Sequence, residues 1–458
     1  MTENRTAFRW LLPFLCIMGC GTSTTSHLHI VVSGDTAGWI TPCGCTANQS
    51  GGLERRASLL NTLGTKDRVV YLDVGGSAAG KSEYQQVKLK SILQGDKLMG
   101  LELHNIGSPE TQLAPETLLK IGQETSTRWL SANLQIKNDR DTSKTQIDSH
   151  KVVVRNGIRI LVTGVVDPAL IKNPMWTARE ASASVLDVLK SEKVDVTVVL
   201  AYMDEPSLRA LAESLPEVDY IIGGPTGQLL APSNVGPVEI MSATNKGKFL
   251  AAMELEKTGK NWRTKKRHAI EVSSTLPRDS AQSKNLEAYL SALATRDFPA
   301  DETGLVSNSS ASIQNHLNYK IAGTAACVAC HQQDDTLWHT SKHSHAWQTL
   351  IDKRSHVDPS CQQCHTTGYG ILGGFEQVAK STQLVNVGCE SCHGPSQSHA
   401  LNPKTKTTYL SREQCVRCHD HENSPEFDFS KYWGKITHGQ SVSNPPAGRV
   451  ERSEGRVK

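Results

Sequence analysis

The 458-residue sequence has few aromatic side chains, little net charge and no apolar run long enough to span a bilayer. Phe, Trp and Tyr make up 5% of the chain, so its cores must be built mainly from aliphatic side chains. A formal charge of +3 provides no global basic surface, which argues against nucleic acid as a partner. Gly and Pro occur at ordinary frequency, which excludes a collagen-like or wholly disordered chain. The length suggests about three domains.

The N-terminal apolar segment at 10–18 is too short to cross a bilayer as a helix. It follows Arg5 and Arg9 and ends in the sequence IMGC, which resembles a bacterial lipobox whose cysteine is lipidated and becomes the first residue. We expect residues 1–20 to be a lipoprotein signal peptide with lipid on Cys20. An ordinary cleaved signal peptide and an uncleaved anchor are the alternatives. The expected location is the cell envelope, on the periplasmic or extracytoplasmic face, where disulfides persist.

Cysteine and histidine are concentrated near the C-terminus. Eight of the 12 cysteines form four C-x-x-C-H motifs between positions 327 and 419. Two thiols three residues apart can form thioethers to the vinyl groups of one heme, and the adjacent histidine then lies beneath the iron. Zinc ribbons and disulfide frameworks need no histidine after every second cysteine. The sequence therefore predicts four covalent hemes c. Their attachment residues are Cys327, Cys330, His331, Cys361, Cys364, His365, Cys389, Cys392, His393, Cys415, Cys418 and His419.

The sixth ligands of the four irons are limited by composition. No methionine follows Met253, so a heme ligated by histidine and methionine is excluded within this segment. Bis-histidine ligation is the default. Seven histidines remain as candidates after the four motif histidines, namely His339, His343, His345, His356, His399, His421 and His438. Few residues are available to surround each heme, so the hemes must replace much of the apolar core and lie close together. Short distances between irons favour electron passage from one heme to the next.

Three blocks around the motifs resemble the tetraheme cytochrome c family of nitrifier electron carriers. They are WHTSKHSHA at 338–346, GCESCHGP at 388–395 with His399, and WGKITHG at 433–439. The resemblance covers residues 321–439. It implies a mainly α-helical domain that accepts electrons and passes them to redox partner proteins.

The same resemblance implies a ligand set. Its distal histidines match His343, His399 and His438, and His345 is the rival of His343. The heme of the second motif is then left open, with His365 alone beneath its iron. His345, His339 and His421 remain the alternatives for that position, whereas His356 lies so close to the second motif that its loop would be strained.

The N-terminal part alternates short, β-branched apolar runs with helical or polar stretches from about 27 to 257. This pattern is typical of strands buried on both faces of a mixed sheet with helices between them. Four segments resemble calcineurin-like metallophosphatases of the periplasmic 5'-nucleotidase type. They are VSGDTAG at 32–38, LDVGG at 72–76, SANL at 131–134 and DYIIGG at 219–224.

We therefore expect a multidomain chain. It comprises an α/β metallophosphatase-like sandwich at 27–275, a helix and linker at 279–320, a mainly α multiheme cytochrome c domain at 321–439 and a disordered tail at 440–458. The basic run KKR at 265–267 is expected at a solvated hairpin edge, between a turn and a return strand at 269–272.

The phosphatase-like resemblance implies a two-metal centre, but most ligand positions hold residues that cannot bind a metal. Asp35 is retained, whereas Ala37 and Gly76 stand where the family has a histidine and the bridging aspartate. The remaining substitutions are Ser108-Pro109 for Asn-His, AYM at 201–203 where a histidine is expected, and GPTG at 224–227 for Gly-His-x-His. We expect no phosphatase activity, and Asp35 to serve as a turn or cap residue.

Cys43 and Cys45 form a separate pair after the first strand. Three states fit this pair: a strained disulfide, a soft-metal or redox site, or two inert thiols. The leading functional hypothesis is an exported multiheme cytochrome that carries electrons, with the degenerate phosphatase-like domain as scaffold and a lipid anchor to the membrane. The alternatives are a heme oxidoreductase acting on a small nitrogen or sulfur compound at a five-coordinate heme, and a ligand- or partner-binding module.

Overall fold

The structure is a computed structural model, and it describes residues 27–42, 48–137, 146–190, 193–244, 246–258, 261–306, 319–407 and 412–438. Four parts of the chain lie outside these residues. They are the expected signal peptide with Cys20, the pair Cys43 and Cys45, most of the linker expected after residue 299, and the C-terminal tail. Among the described residues, no helix has both the length and the apolar character needed to cross a membrane.

Fifteen strands are present in the described N-terminal part. They are β1 (His27–Ser33), β2 (Val69–Asp73), β3 (Leu101–Asn105), β4 (Trp129–Leu130), β5 (Leu134–Ile136), β6 (Ile147–Asp148), β7 (His150–Arg155), β8 (Ile158–Val166), β9 (Trp176–Ala178), β10 (Val196–Tyr202), β11 (Tyr220–Gly224), β12 (Ser233–Val235), β13 (Val238–Ser242), β14 (Phe249–Thr258) and β15 (Asn261–Glu271).

Two sheets built from these strands share one core. The larger sheet has the order β15-β14-β1-β2-β3-β4-β6, and the smaller has the order β12-β13-β11-β10-β8-β7. Strands β1, β2 and β3 are parallel, as are β8, β10 and β11. The core is mainly aliphatic and takes residues from both sheets, such as Val32 of β1 and Leu200 of β10. All seven residues of β10 are buried, as expected for a strand covered on both faces.

Six helices accompany the two sheets, and their ends carry recognisable caps. They are α1 (Leu53–Leu63), α2 (Glu83–Met99), α3 (Pro115–Thr125), α4 (Ala181–Leu189), α5 (Glu205–Ser214) and α6 (Ser280–Arg296). Ser82 and Gln85 form a capping box at the start of α2. Asp279 caps α6, whose apolar face includes the buried Tyr289 and Leu293. This helix packs on α1 and α2 and leads the chain toward the C-terminal domain.

One expectation about the basic run is wrong in detail. Lys265, Lys266 and Arg267 do not lie between a turn and a later strand, because β15 already begins at Asn261. They lie within β15, the edge strand of the larger sheet, where Lys265 pairs with Glu254 of β14. Cross-strand ion pairing explains why the strand continues through a charged sequence.

The C-terminal domain consists of short helices. They are α7 (Thr324–Val328), α8 (Gln332–His339), α9 (Ala346–Asp352), α10 (Pro359–His365), α11 (Cys389–His393), α12 (Gln397–Leu401), α13 (Arg412–Cys415) and α14 (Phe429–Trp433). Ile321, Phe375 and Leu384 form a small buried apolar cluster there. So small an apolar core is consistent with a domain whose interior has room for large apolar groups.

Candidate heme centre

A large cavity lies between the C-terminal domain and the sandwich. Its volume is about 1540 Å³, and it is lined by all four motif histidines and by every motif cysteine except Cys330. Ordinary small-molecule sites occupy roughly 300–1,000 Å³, so this space suits several macrocycles rather than one ligand. Trp39, Tyr84 and Lys88 of the N-terminal domain line the same cavity.

The motif residues adopt the local geometry that heme attachment needs. In the first motif the His331 amide donates to the Cys327 carbonyl at 3.0 Å, and in the fourth His419 donates to Cys415 at 2.8 Å. A helical turn of this kind brings residues three and four apart to the same side. Both thiols and the histidine of a motif can therefore face one macrocycle.

Three of the four motif histidines face a second histidine. The ring centroids of His331 and His399 are 6.2 Å apart, those of His419 and His343 are 6.2 Å apart, and those of His393 and His438 are 5.9 Å apart. Two imidazoles on opposite sides of one metal ion place their centroids roughly 6 Å apart, because each metal–nitrogen bond is about 2 Å long. The spacing thus fits one iron between each pair.

Hydrogen bonds orient several of these rings through Nδ1. His365 donates to the Ala346 carbonyl at 2.6 Å, His399 to the Thr405 carbonyl at 2.8 Å and His438 to the Ile436 carbonyl at 2.9 Å. A ring that donates from Nδ1 carries its lone pair on Nε2, which is then the nitrogen available to a metal. These contacts hold the three rings in the tautomer that a heme ligand requires.

Burial favours the neutral form of the ligand candidates. Desolvation is the main cause that lowers the pKa of His343, His365, His393 and His419 below the usual 6.5. Only a neutral imidazole can donate a lone pair to iron. Because these partly buried rings favour the neutral form, they can bind iron at neutral pH.

The second motif differs from the other three. In the described part of the chain no second histidine ring lies about 6 Å from the His365 ring, as one does in each of the three pairs. His345 is exposed and contacts the Ser341 carbonyl, and His339 is exposed and pairs with Asp335. The remaining two candidates do not face it either: His421 is exposed, and the ring of His356 packs edge-on against Trp347.

Two buried carboxylates near the motifs were not recognised from the sequence. Glu390, inside the third motif, is 4% exposed and accepts hydrogen bonds from the amides of Ala322, Gly323 and Ser396. It thereby ties the third motif to the segment that leads into the first. The only sequence signal was a charged residue between two heme cysteines.

Asp358 is the second of these carboxylates. It is 9% exposed, caps α10 by accepting from the Ser360 amide, and accepts from the hydroxyls of Tyr84 and Tyr289. Lys88 of α2 also donates to Ser360 at 2.7 Å. The N-terminal domain and α6 thus contact the helix that carries the second motif.

A tyrosine fills the space that the phosphatase-like fold leaves at its strand ends. Tyr202 ends β10, is 4% exposed and lies against Gly76 and Gly107. A Cβ atom at Gly76 would come within 2.6 Å of Cε2 of Tyr202, and one at Gly107 within 2.6 Å of Cδ2. The aromatic ring therefore occupies space that an aspartate at position 76 would need.

The predicted metal-ligand positions of this region are divided between strand ends, such as Tyr202 and Gly224, and the loops that follow the strands. Asp35 follows β1 with φ of 50°, donates its amide to Gly75 and accepts from Thr244. The described residues that could together hold a metal ion are instead Asp73, Asp96 and His104, whose ligand atoms lie within 4.8 Å of one another.

Asp73, Asp96 and His104 belong to a network of buried charged side chains. Arg56 pairs with Asp96 at 3.6 Å, and Tyr71 also donates to Asp96. Burial acts to lower the pKa of His104, but the carboxylates of Asp73 and Glu110 raise it to about 9. Two cationic side chains, Arg56 and His104, therefore compensate the negative charge of these carboxylates. The sequence alone did not indicate that these residues meet.

Comparisons with known proteins agree with both domains. Residues 326–394 match the family model described as cytochrome c554 and c-prime. Cytochrome c-554 of Nitrosomonas europaea is 27% identical over 139 residues, which cover 22% of this chain and 59% of that protein. The C-terminal domain is similar to the cytochrome c554 family. This similarity supports covalently attached heme c in the C-terminal domain.

The solved structures match the N-terminal domain. The 5'-nucleotidase precursor of Thermus thermophilus superposes with a TM-score of 0.50 at 19% identity, over 59% of each chain. The calcineurin-like phosphoesterase YfkN of Bacillus subtilis has a TM-score of 0.49 at 16% identity, over 58% of this chain and 98% of that one. The first of these shows that the domain has the 5'-nucleotidase fold, as the sequence predicted. The chain spans about three fifths of both the cytochrome and the nucleotidase.

Proposed function

We propose that this protein is an exported electron-transfer protein with four covalent hemes c. The observation that carries the proposal is the convergence of four C-x-x-C-H motifs on one cavity, where three motif histidines each face a second histidine about 6 Å away. When bound, heme supplies one-electron redox chemistry. The chain supplies attachment thiols, axial imidazoles and a buried environment.

Our proposed ligand pairs are the three pairs of histidine rings whose centroids lie about 6 Å apart. His331 and His399 serve the first heme, His393 and His438 the third, and His419 and His343 the fourth. The second heme has His365 alone.

Contacts between thiols suggest how the four sites are grouped. The thiol of Cys389 acts to raise the pKa of Cys327, and the thiol of Cys364 acts to lower the pKa of Cys418, so the two thiols of each pair are close together. The first site is therefore next to the third, and the second is next to the fourth. Close neighbours of this kind favour electron passage between sites.

The N-terminal domain acts in this proposal as a scaffold that does not hydrolyse phosphate esters. The support is steric and chemical: Tyr202 fills the space beside Gly76, and Asp35 is the one retained ligand of the metal set that the family resemblance implies. A single aspartate cannot hold two divalent ions.

A second candidate function is reduction or oxidation of a small nitrogen or sulfur compound at the second heme. The observation that favours it is the absence of a histidine opposite His365 in the described residues. The three paired sites would then conduct electrons to or from the reaction.

We also propose that Cys20 anchors the protein by lipid in the cell envelope, on the periplasmic or extracytoplasmic face. The support is the sequence IMGC after a short apolar segment. Covalent heme attachment by C-x-x-C-H motifs is consistent with this assignment, and the expected partners are redox proteins.

The proposal is tested by counting hemes in the purified protein. The pyridine hemochrome spectrum of the denatured chain is expected to give four hemes per polypeptide. Replacing Cys361 and Cys364 together by serine is expected to leave three, whereas replacing Cys43 and Cys45 by serine is expected to leave four. A wild-type value of two or fewer would show that the proposal is wrong.

A further inference from the structure

The interface between the two domains includes a buried cluster at the start of α10. The Tyr84 hydroxyl donates to Oδ1 of Asp358 at 2.7 Å, and the Tyr289 hydroxyl donates to Oδ2 at 3.0 Å. Tyr84 is fully buried, and Tyr289 is 4% exposed. Both carboxylate oxygens are thus occupied by donors from outside the C-terminal domain, one from α2 and one from α6.

Asp358 connects this cluster to the second heme motif. Its carboxylate accepts from the Ser360 amide at 2.9 Å, and its carbonyl accepts from the Cys361 amide at 2.9 Å. It is therefore the N-cap of the helix that carries Cys361, Cys364 and His365. A displacement of Asp358 would tilt the helix on which the second heme is held.

The contact distinguishes the second motif from the others. Among the described residues, the sandwich also contacts the heme domain at Glu422, which follows the fourth motif and pairs with Lys248 at 3.0 Å and Lys246 at 3.4 Å. Those pairs are partly exposed, so salt and solvent weaken them. The Asp358 cluster is buried, and its hydrogen bonds to a charged acceptor are the stronger kind.

We propose that Tyr84 and Tyr289 are positioning residues for the second heme, acting through Asp358. This inference rests on the proposed function, because it assigns a role toward a heme bound at Cys361 and Cys364. The N-terminal domain then does more than support the cytochrome, since it sets the orientation and the electrostatic environment of the one site that has no facing histidine.

The sign of the effect follows from charge. The Asp358 carboxylate accepts three hydrogen bonds, two from side-chain hydroxyls and one from a backbone amide, as an ionised carboxylate does. The two hydroxyls disperse its negative charge. Removing a hydroxyl leaves that charge less compensated beside the site, which favours ferric over ferrous iron and opposes the binding of an anion. Removing the charge itself has the opposite effect.

The test uses the full-length heme protein and cyanide as the probe. Tyr84→Phe and Tyr289→Phe are expected to lower the affinity of the ferric protein for cyanide on the order of threefold or more. Asp358→Asn, which retains a side chain able to cap α10, is expected to raise that affinity. A redox titration followed by heme absorbance is expected to show one midpoint potential lowered in the tyrosine variants and raised in Asp358→Asn.

Tyr220→Phe is the matched control. Tyr220 lies on β11 of the sandwich, is 4% exposed like Tyr289, and its hydroxyl hydrogen-bonds with Thr264 and not with Asp358. This variant is expected to leave both readouts unchanged. The inference is overturned if the tyrosine variants retain four hemes yet behave like the control, or if they and Asp358→Asn shift the same potential in the same direction.

The failure of the proposed function would look different. A wild-type protein with fewer than four hemes contradicts the heme assignment directly, whereas a protein with four hemes that does not bind cyanide contradicts only the open second site. In a protein whose four hemes are all capped, the opposite shifts of one midpoint potential still decide the role of Tyr84 and Tyr289.

Discussion

Raising the pH from about 6 to above 9 is expected to destabilise the N-terminal domain through one buried histidine. His104 lies on β3 and is fully buried. Its Nδ1 is 3.6 Å from the Asp73 carboxylate, and its Nε2 is 4.0 Å from that of Glu110. Burial opposes the charged form, but these carboxylates outweigh it and raise the pKa of His104 from 6.5 to about 9.

The direction of the effect follows from linkage. A group whose pKa is higher in the folded protein than in the unfolded chain stabilises the fold fully below the unfolded pKa. For His104 that contribution is present below pH 6.5 and is lost as the pH rises through about 9. A pKa difference of this size corresponds to about 3 kcal/mol of unfolding free energy. Burial raises the pKa of the Asp96 carboxyl to about 6, so this group titrates mainly below the window in which His104 loses its proton.

The assay is urea unfolding of the full-length protein at several pH values between 6 and 10, followed by the circular dichroism of the β-sheets. Wild-type stability is expected to fall across this range, whereas His104→Gln is expected to lose that part of the pH dependence. His150→Gln, on β7, is the matched control and is expected to follow the wild type. Parallel pH curves for wild type and His104→Gln would refute the reasoning.

Three further predictions concern the heme, the anchor and the phosphatase-like domain. One heme of four in the ferric protein is expected to give a high-spin signal that disappears with cyanide. The reason is that His365 is the one motif histidine without a facing histidine among the described residues. Electron paramagnetic resonance that shows no high-spin signal and no change with cyanide would contradict this prediction. Cys20→Ala is expected to move the protein from the membrane to the soluble fraction, and unchanged membrane association in cell fractionation would instead favour an uncleaved anchor or a tight membrane partner. Nucleotide hydrolysis is expected to stay at background with added manganese or zinc, because Tyr202 fills the space beside Gly76; turnover that Asp35→Ala abolishes would overturn this.

The fold classes of both domains were predictable because their signals are local. The strand β10 was readable as a continuous β-branched run, and α6 as an apolar face that ends before Pro299. Short strands such as β4 and β6 were not found, since two residues form no periodic pattern. The basic run in β15 was misplaced because cross-strand pairing with β14, and not local propensity, extends that strand.

Residue spacing by itself predicts the covalent chemistry. Two thiols and a histidine that share one helical turn need no distant partner to face the same macrocycle, so the C-x-x-C-H motifs predict the attachment residues from the sequence alone. Composition likewise excluded methionine as an axial ligand, because no methionine follows Met253.

Only the tertiary structure decided which distant side chains meet. The approach of His399 to His331, of Tyr84 to Asp358 and of His104 to Asp73 joins segments that are far apart in sequence or lie on different strands. Such contacts depend on how whole elements pack, which no local pattern encodes. The metal ligands of the phosphatase-like fold could be recognised as missing from the sequence alone. Only the packed structure showed that the Tyr202 ring occupies the space beside Gly76, because that contact joins the end of β10 to the loop after β2.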